Sequence, residues 1–126
     1  MEDCEKKTRN FRKYPVYQTA VEYATYIYQV TSKIPWFEKK GLCDQLQRAV
    51  VSISSNIAEG AARPSDADFA HFLDTSLGSA YEVETQLTIA RNVGYLNEDT
   101  FLEMDKRLQS IEKQLTAFIS SIRKSS

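Results

Sequence analysis

The chain has 126 residues, 42% hydrophobic and 26% charged, with four glycines, three prolines and a formal net charge of −1. That is the size of one domain and the composition of a folding sequence, which excludes a disordered, collagen-like or low-complexity protein. No apolar run approaches the roughly 20 residues needed to cross a bilayer, and the opening MEDCEKKTRN is charged where a signal peptide is apolar. Cys4 and Cys43 are too few for a disulfide framework, so a cytoplasmic protein with free thiols and no membrane partner is expected.

The charge is unevenly placed. Residues 1–40 carry eight Lys/Arg against five Asp/Glu, residues 41–105 three against eleven, and residues 106–126 five against one. An acidic centre argues against a protein whose main task is to neutralise phosphates. Residues 1–13 read as a flexible basic leader, in which Lys6, Lys7, Arg9, Arg12 and Lys13 are weak nucleic-acid candidates set against plain solvation.

From residue 14 to 126 the sequence reads as a single bundle of four helices. Pro15 suits a first helical turn, and Pro35 with Ser32 and Lys33 ends the segment, giving a helix over about 16–32. A second, over about 40–60, runs through Leu42, Leu46, Val50, Ile53 and Ile57 to Gly60, read as a left-handed cap. Ser65 before Asp66 and Asp68 starts a third, over 66–93, which Gly94 closes. Asn97, flanked by the apolar pair Leu96 and Phe101, starts a fourth over 98–123. Its apolar positions Phe101, Met104, Leu108, Ile111, Leu115, Phe118 and Ile122 alternate spacings of three and four, the seam of coiled-coil-like packing. Short connections make sequential helices antiparallel neighbours, so the fold class is all-α, an up-down-up-down four-helix bundle.

The first helix carries more apolar surface than one seam needs. Val16, Ala20, Tyr23, Ile27 and Val30 form one stripe, and Tyr17, Val21, Ala24, Tyr28 and Thr31 lie beside it. Tyr17, Val21 and Tyr28 are therefore candidates for an oligomer interface; the alternative is a wide arc facing two neighbours within the bundle. Trp36 and Phe37 either cap the bundle end or extend the patch, with capping favoured. In the second helix Arg48, Ser52, Ser55 and Glu59 repeat opposite the core, a small polar stripe suited to a neighbouring subunit or to solvent. Glu84 falls inside an apolar arc of the third helix, where an unpaired carboxylate is costly, so it is expected to be hydrogen-bonded or paired, with Asn56, Arg48 and Arg63 as candidate partners.

SISSNIAEG at residues 52–60 resembles the S-I-P-S-N-I-A-E-G motif of the four-helix-bundle family encoded by intervening sequences in bacterial 23S rRNA genes. FRKYPVYQTAVEYATYIY, GLCDQLQRAVVSISSNIAEG, FAHFLDTSLGSAYEVETQL and ARNVGYL extend the resemblance over nearly the whole chain, with Ser54 standing where many relatives have proline. A related branch is the accessory protein of diversity-generating retroelements, a pentameric ring of bundles that binds nucleic acid and a reverse transcriptase. The resemblance therefore implies a homopentamer.

Catalytic signals are sparse. His71 is the lone histidine; Asp68 and His71 stand at i and i+3, but a di-iron bundle needs a second such pair. No Cys-x-x-Cys, His-Glu-x-x-His, Walker loop or Gly-x-Ser-x-Gly occurs. Gly78 reads as a place of close helix approach. The expectation is a non-enzymatic, cofactor-free, self-assembling scaffold or adaptor without catalytic or metal residues. The alternative is a nucleic-acid-binding accessory protein whose basic ends, including Lys106, Arg107, Lys113, Arg123 and Lys124, gather on assembly.

Overall fold

The computed structural model describes residues 9–125. After a 3-10 turn at Phe11–Lys13 come four helices, α1 (Pro15–Thr31), α2 (Leu42–Ala61), α3 (Asp66–Asn92) and α4 (Glu98–Ser125), with a second 3-10 turn at Trp36–Glu38 between α1 and α2. No strand occurs among the described residues.

The helix boundaries follow from local chemistry. Pro15 occupies the first turn of α1. The Ser65 hydroxyl accepts the Asp68 N–H at 3.1 Å, and the Asn97 Oδ1 accepts the Thr100 N–H at 2.8 Å, so α3 and α4 both start on side-chain caps. Leu96 and Phe101 are both buried beside the second of these caps, as a staple requires. Gly94 takes the left-handed conformation at φ +89° and ends α3.

Gly60 does not cap α2. It is a buried residue within the helix, and a Cβ there would lie 2.6 Å from the Cβ of Phe72 and 3.0 Å from the Phe69 ring. Its missing side chain lets α2 and α3 close on each other. Gly78 corrects the opposite expectation: a Cβ there would meet nothing within 4 Å, so no close approach depends on it.

Each helix packs on its neighbours in sequence, and α1 also packs on α4, closing the bundle. Contacts along the seams fix the directions. Cys43 and Gln47 at the start of α2 reach Thr31 at the end of α1, and Ser52 and Ser79 join the middles of α2 and α3. Arg123 near the end of α4 pairs with Asp74 in the first half of α3, and Tyr14 before α1 packs edge-on against Phe118 near the end of α4. Every adjacent pair is thus antiparallel. Leu46, Val50, Ile53 and Ile57 of α2 are fully buried, as their spacing predicts, with Tyr23, Ile27, Phe69, Leu73, Leu87, Met104, Leu108, Ile111 and Leu115 around them. The α4 seam departs from its heptad toward the C-terminus: Ile119 is buried, while Phe118 and Ile122 are half-buried. A straight helix drifts by about 20° per heptad against a 3.5-residue repeat, which brings new positions into the seam.

Candidate functional site

The polar chemistry inside the bundle centres on two carboxyls. Glu84 of α3 does not reach Asn56, Arg48 or Arg63; its partner is Glu112 of α4, through a side-chain hydrogen bond that requires one shared proton. Glu112 is 9% exposed, and its Oε2 is buried without a partner. Burial, the bond to Glu84, and the charges of Glu84 and Asp105 push the Glu112 carboxyl up to about 8. Glu112 lies on the stripe that runs from Phe101 and Leu108 to Ile119, one position outside the heptad seam. Its place among those apolar residues was the available sequence signal, and the strict three-four spacing obscured it. Nearby, the Tyr23 hydroxyl donates to the Met104 carbonyl at 2.9 Å, and burial holds this phenol far above its ordinary range.

The motif region of α2 acts within the chain. Ser52 and Ser79 share a hydrogen bond at 2.8 Å, the Asn56 amide donates to the Ser52 carbonyl and hydroxyl at 2.8 Å, and Ser76 donates to the Ile53 carbonyl at 2.7 Å. This polar zipper fixes the register of α2 on α3, so the half-buried Ser52 leaves the outward stripe in which its spacing placed it. Gln86, two turns beyond Ser79 on the same face, is buried with its Oε1 unpartnered. Arg48 is exposed and pairs with Asp44 one turn earlier at 3.0 Å, Glu59 is exposed, and the Arg63 guanidinium lies 4.8 Å from the centre of the Phe72 ring.

The described part of the leader is anchored to the bundle. Arg9 donates to the Ala61 and Arg63 carbonyls at the end of α2, pairs with Asp66 at the start of α3 at 2.6 Å, and stacks 4.6 Å from the centre of Phe69. Here it is a cation placed on carbonyls at and just beyond the C-terminal end of α2. Arg12 and Lys13 are exposed; Lys6 and Lys7 lie outside the described residues. Because Tyr14 packs on Phe118, Arg12 and Lys13 share one pole of the bundle with the exposed Arg63 and Lys124.

Tyr17, Val21 and Tyr28 separate on α1. Tyr17 is half-buried with the Phe11 ring edge-on at 5.0 Å, whereas Val21 is 39% and Tyr28 47% exposed. Val51 of α2, one turn beyond Gln47, which reaches Thr31 of α1, is exposed as well. Trp36 and Phe37 do not cap the bundle end: they are 85% and 63% exposed, and Ile34 is the buried residue there. Trp36 instead lines a groove of about 380 Å³ with Thr31, Lys39 and Cys43. Burial raises the Cys43 thiol, with Glu38 adding to the shift, so it is held in its weakly nucleophilic form.

Among the described residues no three His, Cys, Asp or Glu side chains converge to hold a metal ion, and Asp68 and His71 are both exposed. No helix among them is long and apolar enough to cross a membrane. The geometry defines a four-helix bundle whose internal polar groups join helix to helix. Residues 12–117 match the 23S rRNA-intervening sequence proteins, and the chain belongs to that family. It is similar in structure to a protein of unknown function from the S23 ribosomal protein family of Bacteroides thetaiotaomicron VPI-5482. The TM-score is 0.76 and the identity 26%, over 83% of this chain and 95% of that one. No curated protein matches.

Proposed function

We propose that the protein is a non-enzymatic scaffold or adaptor that assembles with copies of itself through the outer face of α1 and α2, in a pentameric ring as its family resemblance implies. The observation that carries this reading is the exposure of Val21 and Tyr28 on α1 and of Val51 on α2, with Trp36 and Phe37 exposed in the connection between the two helices. Tyrosine and tryptophan rings left at the surface are favourable at interfaces, because their apolar bodies bury while their polar tips stay wet. Ser52 and Asn56 of the α2 motif serve register, whereas Ser55 and Glu59 stay exposed on the outer side of the helix. Light scattering at low and high salt, with nucleic-acid absorbance recorded on the same peak, is the test. An oligomer free of nucleic acid supports the scaffold, and a monomer overturns it. Val21→Glu and Tyr28→Glu are expected to dissociate the oligomer with helicity retained.

A second reading, a nucleic-acid accessory protein, is favoured by the convergence of Arg12, Lys13, Arg63 and Lys124 at one pole. A ring of subunits multiplies such a patch. A salt-dependent electrophoretic shift of structured RNA, lost in Arg12→Ala/Lys13→Ala/Lys124→Ala, is its expected result, and no binding at low salt overturns it. Arg9 is left intact in that variant because it holds α2 to α3. Both readings place the protein in the cytoplasm.

A further inference from the structure

Where α1 passes into α2, Trp36, Lys39, Thr31, Ser32 and Gln47 line a cavity of about 380 Å³. Trp36 is the single tryptophan of the chain and is 85% exposed, with Phe37 beside it 63% exposed. The turn that carries both rings is nonetheless braced. Ile34 is buried, the Lys39 N–H donates to the Trp36 carbonyl at 3.0 Å, and the Glu38 carboxylate accepts the Leu42 N–H at 3.3 Å and the Tyr95 hydroxyl at 2.8 Å. Rings held out in water by a fixed turn pay little ordering cost when a partner arrives.

The polar groups of the cavity narrow the chemistry of that partner. Gln47 gives an amide N–H to the Thr31 hydroxyl at 3.1 Å, and that hydroxyl donates to the Tyr28 carbonyl at 3.2 Å. Among the described residues no hydrogen bond uses the Gln47 Oε1 or its second N–H, so one amide keeps both an acceptor and a donor. Lys39, an exposed residue, lines the same cavity, and Lys33 and Lys40 are exposed in the same connection. Glu38 is the one carboxylate of residues 32–41 and already serves Leu42 and Tyr95, Asp44 pairs with Arg48, and no residue of α3 or α4 lines the cavity. An aromatic face, an amide and a cation together meet the needs of a nucleotide, which stacks its base, pairs its edge and neutralises its phosphate. A lipid acyl chain has no use for the amide, and a second copy docked pole to pole would set three lysines against three.

We propose that this cavity binds a nucleotide, with the base stacked on Trp36, its edge on the Gln47 amide and its phosphate on Lys39. Phe37, Lys33 and Lys40 are outside the lining and extend the aromatic and basic surface past it, so an unpaired strand fits better than a free mononucleotide. The site lies beyond the end of α1, whereas Arg12 and Lys13 precede its start, across 17 helical residues or roughly 25 Å. It is therefore independent of the basic pole invoked for RNA above, and it uses none of Val21, Tyr28 and Val51.

Because no other tryptophan is present, tryptophan emission reports on this site alone. The test titrates the full chain with adenosine monophosphate, a single-stranded adenosine tetranucleotide and ribose phosphate. Both base-carrying probes are expected to quench Trp36, the tetranucleotide with about tenfold higher affinity or more, and ribose phosphate to leave the emission unchanged. Lys39→Gln and Gln47→Leu should each weaken tetranucleotide binding about tenfold with helicity retained, and Trp36→Leu should do so by at least as much when binding is read by equilibrium dialysis. Arg12→Ala/Lys13→Ala/Lys124→Ala should quench as the wild type does, which separates this site from the opposite pole. Equal affinities for the mononucleotide and the tetranucleotide identify a free nucleotide as the ligand, and the base site stands. No quenching at low salt, equal quenching by ribose phosphate, loss of quenching in the Arg12/Lys13/Lys124 variant, or dialysis binding that survives both Trp36→Leu and Lys39→Gln overturns the proposal. A blue shift with phosphatidylglycerol vesicles and no response to nucleotides makes the patch a lipid contact, and emission that follows protein concentration without responding to nucleotides makes it a contact between copies; either result overturns it as well.

Discussion

Single residues in this bundle carry consequences that their chemical type does not announce. Gly60 and Gly78 are both helical, yet only the first has a neighbour where its side chain would be. Gly60→Ala must push Phe72 away and is expected to cost about 1–3 kcal/mol, whereas Gly78→Ala gains about 0.5–1 kcal/mol by restricting the unfolded chain at an open position. Urea melts of the two variants read both signs in one experiment. Glu112 makes the pH prediction. Its carboxyl rises from the ordinary 4.5 to about 8 in the folded chain, so the native state holds the proton more tightly than the unfolded state. The stabilisation is complete below about pH 4.5 and is lost as the pH climbs toward 8. Wild-type stability should therefore fall over that interval, and Glu112→Gln should flatten the fall by about 1–3 kcal/mol in denaturant titrations at pH 5 and pH 8.

At the scale of the element, helix starts and stops were legible because they are made by neighbours in sequence. Ser65, Asn97, Gly94 and the Leu96–Phe101 pair do what their types and spacings imply. Ser65→Ala and Asn97→Ala should each cost about 1 kcal/mol. Arg9 shows the limit of such reading. In sequence it is one cation among several in a charged leader, but it reaches across more than fifty residues to the carbonyls ending α2 and to Asp66. Arg9→Ala is expected to lower the melting temperature, whereas Arg12→Ala, at an exposed position, leaves it nearly unchanged. Comparing the two by thermal melting separates the latch from a merely solvated leader.

For the whole molecule, the question is which faces remain after the bundle closes. Two stripes on α1 had competing claims, and packing assigns the Val16–Val30 stripe to the core while the second divides. Tyr17 is covered by Phe11, and Val21 and Tyr28 face outward. Tyr17→Glu would therefore disturb the subunit as well as any interface, which makes Val21 and Tyr28 the cleaner probes of assembly. Among the described residues, Arg12 and Lys13 before α1 and Lys124 near the end of α4 meet at one pole because antiparallel neighbours bring the start of α1 beside the end of α4. That convergence gives the RNA-shift experiment a defined surface.

The sequence by itself determined the four helices, the caps that start α3 and α4 and end α3, the inward face of α2 and the family, since these rest on periodicity and on contacts within a few residues. It also marked Glu84 as a carboxyl that needs a partner. Only the tertiary structure decided that the partner is another carboxyl, that Ser52 faces α3, that Gly60 is a contact rather than a cap, and that Trp36 and Phe37 stay in solvent. The reason is geometric. A helical wheel gives the angle of each side chain about its own axis, whereas a pairing between helices depends on their relative rotation and axial offset, which the summed packing of all four helices sets.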